Sequence, residues 1–143
     1  MRKLAIAIDG PAGAGKSSVA KILAANMGYA YLDTGAMYRA VTYEVLRQEL
    51  TEEKDIVALA AGMDMTVKPE TDAMHVIVNG HDVTDHIRTP EVSARVSAVS
   101  ALAGVRAAMV EIQRRQAAKG GIVLDGRDIG TTVLPHADVK IFL

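Results

Sequence analysis

The sequence predicts an α/β protein of three layers, a parallel sheet between helices with a small antiparallel insertion. Three observations carry this expectation. Short apolar runs that break at acidic residues alternate with segments of helical periodicity. A glycine-rich loop joins the first apolar run to the first helix. One central stretch changes to a period of two and contains an Asn-Gly pair.

Residues 4–8 form a continuous apolar run that stops at Asp9-Gly10, the pattern of a buried parallel strand. Residues 16–27 read as a helix with Val19, Leu23 and Met27 on its core face and Gly28 as its stop. Residues 29–32 form a short second strand. Asp33 or Thr34 then caps a helix to about residue 49, with Met37, Val41 and Val45 on one side. Thr51 is expected to cap a further helix that closes at Gly62, with Glu52 and Glu53 in its first turn.

The period then changes. Met63, Met65 and Val67 alternate with polar residues, as do Met74, Val76 and Val78, and Asn79-Gly80 is the preferred two-residue hairpin turn. Thr89-Pro90-Glu91 marks a strong helix start, and helical periodicity runs to about residue 119 with an interruption expected near Ala103-Gly104. Gly120-Gly121 ends it. Two more buried strands are expected at 122–124, ending in Asp125, and at 139–143.

Composition narrows the function. At 143 residues the chain is long enough to bury a core, and its 23% charged content is ordinary for a globular protein. Only 3% is aromatic, so aliphatic residues and Met must fill the interior. A formal net charge of −1 argues against a nucleic acid polymer as partner, so any nucleotide site must be a local cluster of Arg and Lys. The absence of cysteine excludes disulfides and thiolate metal sites. The apolar run after Arg2-Lys3 is too short for a signal sequence, and no stretch has the ~20 apolar residues of a membrane span. A cytoplasmic protein with no membrane partner is expected.

Gly10-Pro11-Ala12-Gly13-Ala14-Gly15-Lys16-Ser17 matches the phosphate-loop pattern G-x-x-x-x-G-K-[ST] between a strand and a helix. Glycines let backbone N–H groups close around phosphate oxygens, and the helix start adds partial positive charge. Lys16 is placed to reach the β- and γ-phosphates of ATP, and the Ser17 hydroxyl to coordinate Mg²⁺, with Ser18 completing the ATP-binding stretch. Average residue usage produces the pattern by chance in about half a percent of chains this long. On this basis residues 1–61 and 120–143 form the two parts of a P-loop core, with residues 62–119 inserted between them.

Three further clusters bear on the acceptor: Asp33-Thr34-Gly35-Ala36-Met37-Tyr38-Arg39, then Ser97 and Arg106 in the long helical segment, then Asp125-Gly126-Arg127-Asp128. The strings GPAGAGKS, YLDTGAMYRA and LDGRDIGTTVLP in this order resemble the bacterial cytidylate kinases, along the whole chain. The resemblance implies a P-loop nucleoside monophosphate kinase fold, with residues 62–119 as the monophosphate-binding insertion. It implies transfer of phosphate from ATP to CMP or dCMP, with Lys16 and Arg127 catalytic. Arg39 and Arg127 are then expected to hold the acceptor phosphate, and Thr34 and Tyr38 to shape its pocket. Ser97, Arg106 and Asp128 are expected to read the cytosine ring. Asp125 joins the substrate-binding set and, at the end of an apolar run, is placed to support Mg²⁺. Thr34 stands where the family often has Ser, which keeps the hydroxyl and adds a methyl group.

Residue chemistry agrees with this. Arg presents a planar fork to phosphate and never deprotonates. A carboxylate accepts from the N4 amino group of cytosine but faces the oxygen lone pairs of uracil, a basis for preferring CMP over UMP. Other features call for blander roles. His75, His81, His86 and His136 have no metal-ligand spacing and are expected in turns or on the surface. The seven methionines are expected in the core, and Arg114-Arg115 solvated at a helix end.

A P-loop kinase acting on UMP and a nucleotide-binding module with little turnover are the competing readings. No N-K-x-D guanine motif is present to favour a switch protein. The last residues, Val139, Ile141, Phe142 and Leu143, belong to an apolar run, whereas the resembling family continues into an arginine-bearing lid and a last strand. The expectation is a family-like monomer that, as this chain alone, transfers phosphate poorly and tends to self-associate.

Overall fold

The computed structural model describes residues 3–11, 13–69 and 74–143, with backbone only at 67–69. Along the chain run β1 (Ala5–Asp9), α1 (Lys16–Met27), β2 (Ala30–Asp33), α2 (Thr34–Arg47), α3 (Glu53–Gly62), β3 (Met65–Pro69), β4 (Met74–Val78) and β5 (His81–Asp82). There follow α4 (Pro90–Ser100), α5 (Ala103–Ala117), β6 (Ile122–Gly126) and β7 (Val139–Phe142). A short 3-10 turn occupies Thr84–His86, and a π-helical turn occupies Ile129–Val133. The expected α/β class is found: a four-stranded sheet in the order β2-β6-β1-β7 and a small sheet in the order β3-β4-β5. All pairs of the larger sheet are parallel.

The described chain separates into two compact units. The first holds the parallel sheet and α1, through Thr34 and from Gln113 to Leu143, with Pro69 and Met74; the second holds Gly35–Lys68 and His75–Ile112. These boundaries follow tertiary contact and differ from the divisions after residues 61 and 119 read from sequence. α2 and α3 group with the β3–β5 segment.

In the first unit, β6 is buried along its whole length because β2 and β1 pair on its two sides. Ile6, Ile8, Tyr31 and Val123 make one core cluster with Ala20 and Ala24 of α1. This corrects the expected face of α1. Val19 and Met27 are 38% and 39% exposed, whereas Ala20 and Ala24 are fully buried. The small alanines allow the helix to approach the sheet closely, and only Leu23 of the expected stripe packs against that core. Met27 also departs from the expectation that every methionine is core; Met37, Met63, Met65 and Met109 meet it.

In the second unit, Met37, Val41 and Val45 of α2 are completely buried, as their spacing predicts. The Asn-Gly hairpin is present: Val78 pairs with His81, and Asn79 and Gly80 have φ of 49° and 85°, the left-handed pair that a two-residue turn requires. The expected Met63–Val67 alternation continues into side chains outside the described residues at Val67. Thr89 caps α4 by accepting from Val92 N at 3.3 Å, with Pro90 in the first turn. α3 begins after Glu52 with no side-chain cap, so Thr51 lies one residue too early for the role expected of it. The long helical segment does break, at Ala101-Leu102, where α4 and α5 meet at 97°. No single helix among the described residues is long and apolar enough to cross a membrane.

Gly104, in the first turn of α5, lies against α3. A Cβ there would fall inside the van der Waals envelope of both Val57 methyl groups. Gly104→Ala is therefore expected to destabilise the protein by about 1–3 kcal/mol through overpacking. Adding Val57→Ala should recover part of that loss. Urea unfolding of both variants checks this, and a Gly104→Ala protein as stable as the parent would contradict the packing.

Candidate functional site

The loop between β1 and α1 is positioned by its two ends. Gly10 N donates to Gly126 O at 3.2 Å, tying it to the end of β6. Gly13 and Gly15 have φ of 80° and 85°, and a Cβ on either would meet nothing within 4 Å. Backbone conformation therefore demands glycine there, not lack of space. Ala14 N donates to Pro11 O at 3.3 Å, and Lys16 Nζ donates to the same carbonyl at 3.3 Å. Pro11, Ala14, Ser17 and Ser18 are exposed. Ala12 lies outside the described residues. The loop thus presents open backbone at a helix start, the arrangement that binds anions.

Two buried carboxylates stand beside it with different surroundings. Asp9 is 7% exposed, and both of its oxygens accept from backbone: Oδ1 from Ile129 N at 2.7 Å and Oδ2 from Gly130 N at 2.8 Å. It anchors the π-helical turn that follows Asp128. That turn is closed by i→i+5 bonds, Val133 N to Asp128 O at 3.3 Å and Leu134 N to Ile129 O at 2.7 Å. Asp128 is half-buried at its head, and Arg127 is exposed. Arg114 corrects the expectation that it is merely solvated: its guanidinium donates to Val133 O and Thr132 O, both at 2.9 Å, and pins the far end of the turn.

Asp125 is 1% exposed. Its Oδ2 accepts from the Tyr31 hydroxyl at 2.7 Å, and its backbone carbonyl accepts from Thr34 Oγ1 at 2.8 Å. Gly126 makes the approach possible, since a Cβ there would lie 2.7 Å from Thr34 Oγ1. Burial pushes the Asp125 carboxyl up to about 6, helped by the nearby Asp33 charge and opposed by hydrogen bonds from Tyr31 and Ser17 and by Lys16. Burial, with Asp33 and Asp125, also raises the Tyr31 phenol, which keeps it a proton donor. Lys16, Ser17, Asp33 and Asp125 thus form one electrostatic group. Its oxygen donors are of the hard type that suits Mg²⁺, which typically takes one or two carboxylates and completes its shell with phosphate and water. No cluster of three or more His or acidic residues that could hold a metal occurs among the described residues.

The other predicted residues belong to the second unit. Arg39 donates from one guanidinium nitrogen to Ile87 O at 3.2 Å and Ser93 Oγ at 2.9 Å. Ser93 and Ser97 are one turn apart on α4, so Arg39 meets the helix face that carries Ser97, which is exposed. Arg106 is exposed in the first turn of α5. Tyr38 is half-buried in α2, and its carbonyl accepts from Thr42 Oγ1 at 2.9 Å. His75 pairs with Asp82 at 3.0 Å on the surface, and His86 stacks on Tyr43.

Sequence reasoning missed Asp9, Tyr31 and Ser93. A signal existed for the first two, because a carboxylate and a phenol inside apolar strand runs must find partners. Ser93 carried none.

The fold and the loop define a P-loop α/β protein. A sequence model described as cytidylate kinase matches residues 6–143. The chain is 53% identical to the cytidylate kinase of Desulfitobacterium hafniense (strain Y51), over 99% of this chain and 62% of that protein. It is 53% identical to that of Bacillus subtilis (strain 168), over 99% of this chain and 64% of the relative. It is 51% identical to that of Enterococcus faecalis, over all of this chain and 64% of the relative. The chain belongs to the cytidylate kinase family. It spans a little under two thirds of the length of these relatives.

The buried Asp125 carboxyl makes a stability prediction. Its folded value of about 6 lies above the ordinary 3.8, so its charge opposes folding fully above pH 6, and the penalty vanishes as pH falls below 3.8. Asp125→Asn is expected to be more stable than the parent by about 1–3 kcal/mol near neutral pH, with the difference lost by ~pH 3. Denaturant titrations at both pH values test this, and a parent as stable as the variant at neutral pH would contradict it.

Proposed function

We propose that this chain moves the γ-phosphoryl group of ATP onto CMP or dCMP, giving CDP or dCDP in cytoplasmic pyrimidine metabolism. One observation carries the reading: the end of β1 is bonded to the end of β6, which sets the glycine loop beside Asp125-Gly126-Arg127-Asp128. Membership of the cytidylate kinase family supports CMP as the acceptor.

The loop residues Gly10, Pro11, Ala12, Gly13, Ala14, Gly15, Lys16, Ser17 and Ser18 wrap the ATP phosphates. Lys16 neutralises charge on the transferring group. The Ser17 hydroxyl and the Asp125 carboxylate would hold Mg²⁺, which when bound would supply further charge neutralisation at the phosphates. Arg39 and Arg127 clamp the acceptor phosphate by bidentate donation. Arg127 remains beside the reacting group as charge develops there. No covalent nucleophile is required, because phosphoryl transfer depends on positioning and electrostatics. Tyr38 shapes the acceptor pocket. Thr34 already donates its proton to Asp125 O, so it offers a nucleotide an acceptor lone pair. Ser97, Arg106 and Asp128 read the cytosine ring. The Asp128 carbonyl opens the π-helical turn, accepting from Thr132 N at 2.9 Å, which fixes where its carboxylate starts.

A coupled turnover assay with CMP, dCMP, UMP, AMP and GMP is the direct experiment. Turnover confined to CMP and dCMP is expected, and equal use of UMP would overturn the base assignment. Asp128→Ala should weaken CMP binding by about 1–3 kcal/mol, the scale of one hydrogen bond to a charged group, and leave UMP binding nearly unchanged. Calorimetry measures both, and equal losses would remove Asp128 from base reading.

A further inference from the structure

Tyr31 has no part in the function argued so far, yet its hydroxyl donates to Asp125 Oδ2 at 2.7 Å, beside the hydrogen bond that Ser17 makes to the same carboxylate. Strand register explains how. Tyr31 is level with Val123, and Asp33 is level with Asp125, so Tyr31 and Asp125 share one face of the sheet, two residues apart along adjacent strands. The same face carries Ile6 and Ile8 and is covered by α1 through Ala20 and Ala24. The ring is therefore clamped in the core, 2% exposed, with Lys21 Nζ 5.9 Å from its centroid. From there it runs toward the end of the strands, where Lys16 and Ser17 open α1.

We propose that Tyr31 is a positioning residue that fixes the Asp125 carboxylate for the metal-bound phosphates at the glycine loop. With Oδ2 bonded to a phenol that packing has immobilised, the carboxylate is held on the core side as well as by Ser17. Without the phenol bond it is less restrained about its terminal torsion, which has only broad minima. A site whose geometry must be ready before the nucleotide arrives depends on such support. The alternative is that the bond merely satisfies a buried hydroxyl. In that case its loss affects stability and leaves the metal dependence of binding alone. The inference rests on the phosphotransferase reading above.

The test measures ATP binding by calorimetry with MgCl₂ and with EDTA, in the parent, Tyr31→Phe, Asp125→Asn and the double variant. The parent should bind ATP more tightly with Mg²⁺. Tyr31→Phe retains the packed ring and should lose about tenfold of the Mg²⁺-dependent affinity, the scale of one hydrogen bond to a charged group, with EDTA binding within about twofold of the parent. In the Asp125→Asn background the same change should have no further effect on the Mg²⁺ dependence. Thermal melts of each variant separate loss of fold from loss of binding, and a Tyr31→Phe protein that unfolds or weakens both conditions equally assigns the residue to structure and overturns the proposal. So does an undiminished Mg²⁺ dependence, or an effect that persists at full size without Asp125. A parent indifferent to Mg²⁺ would instead overturn the functional reading itself.

Discussion

The parallel pairing of β1 with β6 is the constraint from which the site follows. It runs from Ala5 opposite Ile122 to Asp9 opposite Gly126, so both strands stop at the same level. Each then turns into a loop of the candidate site. Gly10 N bonds to Gly126 O, and the Asp9 carboxylate bonds to two amides at the head of the π-helical turn. A shift of one register position would separate the glycine loop from Asp125 and turn the Asp9 side chain to the opposite face. Ligand chemistry at the carboxyl ends of parallel strands is the general rule for open α/β sheets, and this pairing is its local cause.

Two carboxylates at that edge differ in the partners that hold them. Asp9 accepts one backbone amide on each oxygen and is used up in holding the turn. Asp125 has a phenol and the Ser17 hydroxyl as partners, with Asp33 nearby, and burial raises its carboxyl to about 6. Its charge is a cost to the free protein that a bound cation would relieve. Perturbed carboxyls of this kind gather where a protein has work to do. The neighbouring glycines set how closely the parts approach. Gly126 leaves room for Thr34 Oγ1, and Gly130 lies beside Asp9 Oδ2.

The second unit is organised by helix ends instead of strand ends. Thr89 and Pro90 start α4 cleanly, and the 97° bend between α4 and α5 separates Ser97 on one helix from Arg106 at the start of the next. Arg39, from α2, is held by Ile87 O and Ser93 Oγ through a single nitrogen. A guanidinium has five N–H donors in a fixed fork. The same side chain therefore has donors left for an anion while remaining tethered.

Local sequence determined the elements and their type. The apolar runs ending at Asp9, Asp33 and Asp125 became the strands of the sheet, the Asn-Gly pair became the hairpin, and Thr89-Pro90 became a capped helix start. These signals are local, because strand burial, positive φ and capping each depend on a few adjacent residues. The glycine loop was legible for the same reason. What tertiary structure decided was which neighbours those residues found. Periodicity selected Val19 and Met27 for the core face of α1, but the sheet accepted Ala20 and Ala24, since close approach favours small side chains. Arg114 reads as a solvated helix-end residue until the π-helical turn offers it two carbonyls. Tyr31 and Asp125 are 94 residues apart, and only the register of β2 on β6 brings the phenol to the carboxylate. Pairings of that span depend on strand order, and strand order is not written in any local stretch of the chain.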